Sequence, residues 1–246
     1  MIDSFEKEQG RENVGEPELI GEKNISVIGM GRLGTKLVER LQEITPQNTR
    51  IRPVGSREEN KSAASMSDLV ILTVRHEQVA DTLSDIGLKL NIDAQVLSFA
   101  THVPVTLLER VGGKPSARFL CDPWFQMGAY VLGEGFSTKG IEFIFDNLMA
   151  VKPVRLRSDE ELEKYTHEIC HLYATLFLKA LGEFPNADAH LQFLAGKMNV
   201  RVEDLLSIKT GETPQQAIAL FATPGGVTEA MMKKLRENPD IAPEAV

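Results

Sequence analysis

The stretch Asn24-Ile25-Ser26-Val27-Ile28-Gly29-Met30-Gly31-Arg32-Leu33-Gly34 decides the fold. Its first half is a short apolar run rich in β-branched residues, as a buried strand requires. A glycine turn follows, and then Leu33, Leu37, Leu41 and Ile44 recur at the spacing of one helix face. Strand, turn and helix in that order open a βαβ unit. Working outward, IRPVGS (51–56), SDLVILTV (67–74), VADTLSDIGLKL (79–90), AQVLSFA (94–100), VTLLERV (105–111) and ARFLCD (117–122) succeed one another as strands and helices with short connections. That alternation calls for a parallel sheet covered by helices on both faces.

Gly29-x-Gly31-x-x-Gly34 stands between the first strand and the first helix, the context that a dinucleotide-binding turn of the Rossmann type needs. The three glycines serve a tight turn, close approach of backbone to a diphosphate, and close packing of helix on strand. The diphosphate then rests on the first amides of the helix. Gly29, Met30, Gly31, Arg32, Leu33 and Gly34 are therefore expected to bind cofactor, joined by Thr73, Val74 and Ala100 at the carboxyl ends of later strands. The tip of the second strand reads Val54-Gly55-Ser56-Arg57. A hydroxyl and a guanidinium stand where an NAD-selecting acid is expected, so Ser56 and Arg57 point to the 2′-phosphate of NADP.

Composition narrows the function further. The chain has 246 residues, 42% of them hydrophobic, and a formal net charge of -8. It is long enough for a large core and one or two domains. The acidic balance and the lack of a basic stripe argue against a nucleic-acid partner. Only Cys121 and Cys170 are present, too few for a disulfide framework, so a reducing, cytoplasmic setting is expected. Residues 1–22 are polar, acidic and without the apolar centre of a signal peptide, and read as a flexible extension. No run approaches the ~18 apolar residues that would cross a membrane.

After Asp122 the pattern is less regular, with EFIFDNLM (142–149) and KPVRLR (152–157) read as one more helix and strand. From Ser158 the chain turns helical. SDEELEKYTHEICHLYATLFLKALGEF (158–184) opens with a serine cap and Glu161 three residues on, a capping-box arrangement. Its second half is apolar almost all round, as in a helix buried on several sides, often by a partner subunit. Shorter helices follow at AHLQFLAGKM, VEDLLSI, PQQAIALFA and VTEAMMKKLREN, the last pair separated by Thr223-Pro224-Gly225-Gly226. The change of texture divides the chain into 23–157, cofactor-binding, and 158–246, helical. The Pro-Gly-Gly turn directs amides toward the next helix start, a place for a carboxylate, and the plain alternative is a helix-breaking linker.

These residues carry a resemblance to pyrroline-5-carboxylate reductase, the last enzyme of proline synthesis. The ISVIGMGRLG, SDLVILTV, VLGEG and TPGGVTEA stretches all resemble family segments, over about Asn24 to Glu237. The resemblance implies NAD(P)H-dependent reduction of a cyclic imine acid and a homodimer built through the C-terminal helices, open to further assembly. It implies that Thr228 hydrogen-bonds the imine nitrogen as the catalytic residue, with Thr223 a hydroxyl of the same loop, and that Gly225, Gly226 and Val227 line the substrate. An imine carbon accepts hydride once its nitrogen is protonated or hydrogen-bonded, so neither metal nor covalent nucleophile is needed. Two family segments differ. Cys121-Asp122-Pro123-Trp124-Phe125-Gln126 replaces an Asn-Thr-Pro segment, and His167-Glu168-Ile169-Cys170-His171 replaces a Ser-Gly-x-Gly-Pro segment. Both border the substrate in the family, which keeps open a relative acting on another imine or carbonyl, and a non-catalytic NADP-binding descendant.

His167-Glu168-x-x-His171 also has the helical spacing of a zinc peptidase. Glu183, Asp188 and His190 are the downstream candidates for a third ligand, and none forms a recognisable extended motif, so no metal is expected. A structural polar stripe is the plainer reading. His171, which titrates in the physiological range when unperturbed, is the member of the pair expected to contact substrate. His76, Thr101 and His102 follow strands at the carboxyl edge of the sheet, where ligands bind. Trp124 is the single tryptophan, suited to lining the pocket or to packing.

Overall fold

The computed structural model describes residues 23–206, 211–222 and 226–246. The proposed flexible extension 1–22 and the site residues Thr223 and Gly225 lie outside the described residues. The first strand is β1 (Lys23–Ile28), and the glycine turn leads into α1 (Arg32–Ile44). Then follow β2 (Thr49–Val54), α2 (Arg57–Ser65), β3 (Leu69–Leu72), α3 (His76–Ile86), β4 (Gln95–Ser98), α4 (Val105–Gly112) and β5 (Ser116–Cys121). These five strands are parallel, in the order β2-β1-β3-β4-β5. Ile28 stands beside both Val54 and Leu72, so the carboxyl ends of the three strands line up.

Alternate residues of each strand face opposite layers. Ile25 and Val27 of β1 and Leu69 and Ile71 of β3 pack with Leu37 and Leu41 of α1. Ile28, Val70 and Leu72 point the other way, onto Ala63 of α2, Val79 and Leu83 of α3 and Leu108 of α4. The sheet is thus wound on both faces, as the alternation of the sequence requires. α2 is absent from the sequence reading because it shows the sheet only Asn60, Ala63 and Ala64, which make no stripe of large apolar residues.

β6 (Gly128–Leu132) also escaped the pattern. It returns antiparallel to β5, pairing Cys121 with Gly128, and is followed by α5 (Glu142–Asn147) and the short β7 (Val154–Arg155). From there the described chain is helical: α6 (Asp159–Leu181), α7 (Ala187–Met198), α8 (Val202–Leu206), α9 (Pro214–Phe221) and α10 (Val227–Glu237). Ser158 caps α6 by accepting the Glu161 N–H at 3.2 Å. The Glu161 carboxylate reaches the N–H of Arg157, one residue short of a reciprocal box. Gly182, in the left-handed region at φ 70°, ends the helix. Leu172, Tyr173, Phe177 and Leu178 of α6 are buried among Leu191 and Leu194 of α7, Ala217 of α9 and Met231 and Leu235 of α10. No helix among the described residues is long and apolar enough to cross a membrane.

Candidate functional site

β1 ends at Ile28, and Gly29 turns the chain at φ +106°, a conformation that L side chains rarely adopt. A Cβ there would meet the Val74 backbone nitrogen at 2.8 Å. Thr73 fastens the turn by donating its hydroxyl to the Gly29 carbonyl at 2.7 Å. Gly34 lies so close beneath that a Cβ on it would sit 2.0 Å from the same carbonyl. A Cβ on Gly31, in contrast, would meet nothing within 4 Å. Three glycines thus do three things: Gly29 turns, Gly34 admits the helix, and Gly31 keeps an approach open.

That approach leads to the first amides of α1, which no side chain caps and beside which no acid stands. Unsatisfied N–H groups, the positive end of a 13-residue helix and open space above Gly31 fit a dinucleotide diphosphate. Met30 and Leu33 are partly buried against the core and shape the turn from beneath. Val74, also partly buried, packs over Gly29. Arg32 reaches away from the sheet, donating to the Ala219 carbonyl of α9 at 2.9 Å.

At the tip of β2, Ser56 caps α2 by accepting from the Glu59 amide. Arg57 is paired with Asp85 of α3, and Glu58 and Glu59 stand in the same turn. A 2′-phosphate held by Arg57 would compete with that carboxylate, a circumstance the sequence does not reveal. Next along the edge, Ala100 is buried and gives its carbonyl to Arg118 of β5 at 3.3 Å. Arg118, with Asp159 and Glu163 of α6, escaped the sequence reading. The signal was available: an arginine inside the apolar strand SARFLC needs buried partners.

The turn between β5 and β6 is organised by Asp122, whose carboxylate accepts the amides of Trp124, Gln126 and Met127 at 2.8, 3.0 and 2.6 Å. Burial outweighs these bonds and raises its pKa to about 6. Burial likewise pushes the Cys121 thiol up, an inert state for that sulfur. Trp124 donates its indole N–H to Glu212 at 2.7 Å and stacks on Phe221 of α9, with Tyr173 and Phe177 of α6 completing an aromatic wall. Lys36 of α1 lies 6.0 Å from the indole centroid. Of the two roles expected for Trp124, packing is the one these contacts describe.

Gly226 precedes α10, Val227 is exposed, and Thr228 is buried on its first turn, within hydrogen-bond reach of the Cys170 thiol. Burial raises the pKa of that thiol, so the sulfur stays protonated. His171 does not face a substrate cleft. The residue is 4% exposed, and Nε2 meets His190 Nδ1 at 2.8 Å. His190 Nε2 bonds the Ile241 carbonyl at 3.0 Å, and a carbonyl only accepts. His190 therefore donates there, and its Nδ1 accepts from His171 Nε2–H. Burial and then His190 lower the His171 pKa to about 3, so this pair is neutral and structural. His167 is exposed and Glu168 pairs with Lys197 at 2.9 Å, so the pentapeptide's side chains diverge. Among the described residues no three His, Cys, Asp or Glu gather in a metal-binding cluster.

The structure thus brings the glycine turn, the Thr73–Val74 loop and α9 together. Phe221 and Ala222, at the end of α9, lead directly into the threonine loop. Solved structures of the same architecture exist. A pyrroline-5-carboxylate reductase from Coxiella burnetii superposes with a TM-score of 0.55 at 18% identity, over 89% of this chain and 92% of that one. The chain has the fold of pyrroline-5-carboxylate reductase. The Streptococcus pyogenes reductase gives a TM-score of 0.51 at 17% identity, over 87% and 91% of the two chains. The Plasmodium falciparum pyrroline carboxylate reductase, solved with NADP bound, gives 0.50 at 12%, over 89% and 91%. No protein-family model and no curated protein sequence matches the chain.

Proposed function

We propose that this protein is an NADPH-dependent reductase of a C=N bond, in the simplest case of the cyclic imine acid pyrroline-5-carboxylate to proline. The observation that carries this reading is the open, uncapped start of α1 behind Gly31, with α9 held beside it by the Arg32 bond to Ala219. Bound NADPH supplies the hydride. The chain's own residues bind and orient: the α1 amides take the diphosphate, Ser56 and Arg57 the adenosine end, and the amides around Gly225, Gly226 and Val227 a substrate carboxylate. The Thr228 hydroxyl, buried on the first turn of α10, donates to the imine nitrogen. Thr223 offers a second hydroxyl. We place the enzyme in the reducing cytoplasm, as a homodimer through its helical part (158–246), with 23–157 as the cofactor domain.

A second reading, reduction of another imine or a carbonyl, is favoured by the aromatic wall of Trp124, Tyr173, Phe177 and Phe221. Its Trp124 belongs to the segment that stands in place of Asn-Thr-Pro. NADPH oxidation in the presence of pyrroline-5-carboxylate tests the first reading directly. Oxidation only with other imines or ketones selects the second, and tight NADPH binding without turnover removes both. In an active enzyme Thr228→Ala lowers kcat about tenfold to a hundredfold, the value of one hydrogen bond to a charged group, with NADPH affinity unchanged. An unaltered rate removes Thr228 from the mechanism.

A further inference from the structure

The carboxyl edge of β4 continues through Phe99, Ala100, Thr101 and His102 to the start of α4 at Val105. Three backbone groups of this loop are held by one set of side chains. Arg118 Nη2 donates to the Ala100 carbonyl at 3.3 Å. Glu163 Oε1 accepts the His102 amide at 3.1 Å, and Asp159 Oδ2 accepts the Val105 amide at 3.0 Å. The side chains are in turn held by each other, Arg118 Nη1 on Asp159 Oδ1 at 2.7 Å and Nη2 on Glu163 Oε1. Arg118 is 1% exposed.

Anchoring α6 to the sheet does not require this. Leu162 of α6 already packs on Val105, Leu120, Ala129 and Val131. A single Arg118–Asp159 pair would neutralise the buried guanidinium. Glu163, besides receiving Arg118, reaches the loop with both oxygens: Oε1 accepts the His102 amide and Oε2 lies 3.4 Å from His102 Nδ1. His102 sits at φ 56°, a left-handed conformation that costs a non-glycine residue and persists only where its surroundings impose it. The loop is therefore set from outside, by acids of α6.

Its place in the sheet says what it serves. Strand order runs β2-β1-β3-β4, the diphosphate site lies at the end of β1, and the adenosine end goes toward β2. The other half of a dinucleotide must extend over β3 and β4, where this loop stands. We infer that Arg118, Asp159 and Glu163 are positioning residues that set the nicotinamide end of the cofactor site and tie it to the first turns of α6. The inference rests on the cofactor reading given above. It makes the entry of the helical part a determinant of nicotinamide placement.

Isothermal titration of the full chain with NADPH and with adenosine 2′,5′-bisphosphate, which lacks the nicotinamide half, tests it. Glu163→Ala is expected to weaken NADPH about tenfold while leaving the bisphosphate within about twofold of wild type, and Glu163→Gln, which can still accept the His102 amide, to recover most of the loss. Equal NADPH affinity in folded Glu163→Ala, or equal losses for both ligands, overturns the inference and leaves the cofactor reading standing. No heat with NADPH in the wild type overturns both. Should Glu163→Ala fail to melt cooperatively, Arg118→Lys, which keeps the charge but only one of the contacts, carries the same comparison with the same outcomes.

Discussion

Gly31 and Gly34 lie three residues apart and carry opposite constraints. A methyl group on Gly34 meets backbone at 2.0 Å and cannot be relieved by a side-chain rotation, whereas one on Gly31 enters open space at an ordinary φ of -78°. Gly34→Ala is expected to cost about 3 kcal/mol of stability or to abolish folding. Gly31→Ala is expected to melt like the wild type yet bind NADPH about tenfold to a hundredfold more weakly, since its methyl takes the diphosphate's approach. Thermal melts beside NADPH titrations separate the two, and intact affinity in Gly31→Ala would remove the diphosphate from this turn. The buried histidines make a second prediction at this scale. His171 is neutral when folded, its pKa lowered from 6.5 to about 3, and that of His190 is lowered as well. The unfolded chain binds these protons first, so their contribution is complete above pH 6.5 and is lost as pH falls toward 3. Asp122, raised from 3.8 to about 6, works the other way, adding stability as pH falls from 6 to 3.8. Between about pH 7.5 and 5, the melting temperature is expected to fall less in His171→Gln, which keeps a donor for His190, than in wild type. An unchanged slope would mean that the pair does not exclude protons.

Arg57 and Asp85 join two elements, the start of α2 and the end of α3, and this pairing bears on cofactor choice. The hydroxyl and guanidinium after β2 are plain in the sequence, but Asp85 lies 28 residues further on and only the fold brings it alongside. With Asp85→Asn the guanidinium is released to a 2′-phosphate, and NADPH is expected to bind about twofold to fivefold more tightly, the scale of an exposed ion pair. NADH, lacking the phosphate, is expected to change little. Arg57→Asp is expected to weaken NADPH far more than NADH, and equal losses would detach Arg57 from the phosphate. The same contrast explains which elements were legible. β1, α1, β3 and α3 carry large apolar residues at strand or helix period. α2 carries two alanines and an asparagine on its buried face, so period has nothing large to register. β6 is hidden because Asp122, one carboxylate receiving three amides, makes a reversal without Asn-Gly or Gly-Gly.

At the scale of the whole molecule, α6 shows what a periodicity argument leaves open. LYATLFLKAL is apolar on nearly every side, which from sequence alone means burial on several sides, often by a partner subunit. The fold supplies neighbours from the same chain: α7, α9 and α10 enclose Leu172, Tyr173, Phe177 and Leu178, and the His171–His190 bond crosses between α6 and α7. Periodicity reports how much of a helix is buried, and it is silent on which chain does the burying. In the same way the glycine turn was legible because its chemistry is local, while the Arg118 cluster and the aromatic wall join residues 41 to 97 positions apart. This separates assembly from folding. A dimer formed through the helical part would bring together surfaces that are not needed to cover α6, and so would dissociate into folded subunits. Association stabilises the native state only while the dimer is populated, so the melting midpoint should fall with dilution down to the dissociation range and then level off. Below the concentration at which sedimentation shows single subunits, these are expected to melt cooperatively at a midpoint that further dilution no longer changes. A midpoint that keeps falling, or helical signal lost as the dimer separates, would show that a second chain is part of the core after all, with α6 completed in trans.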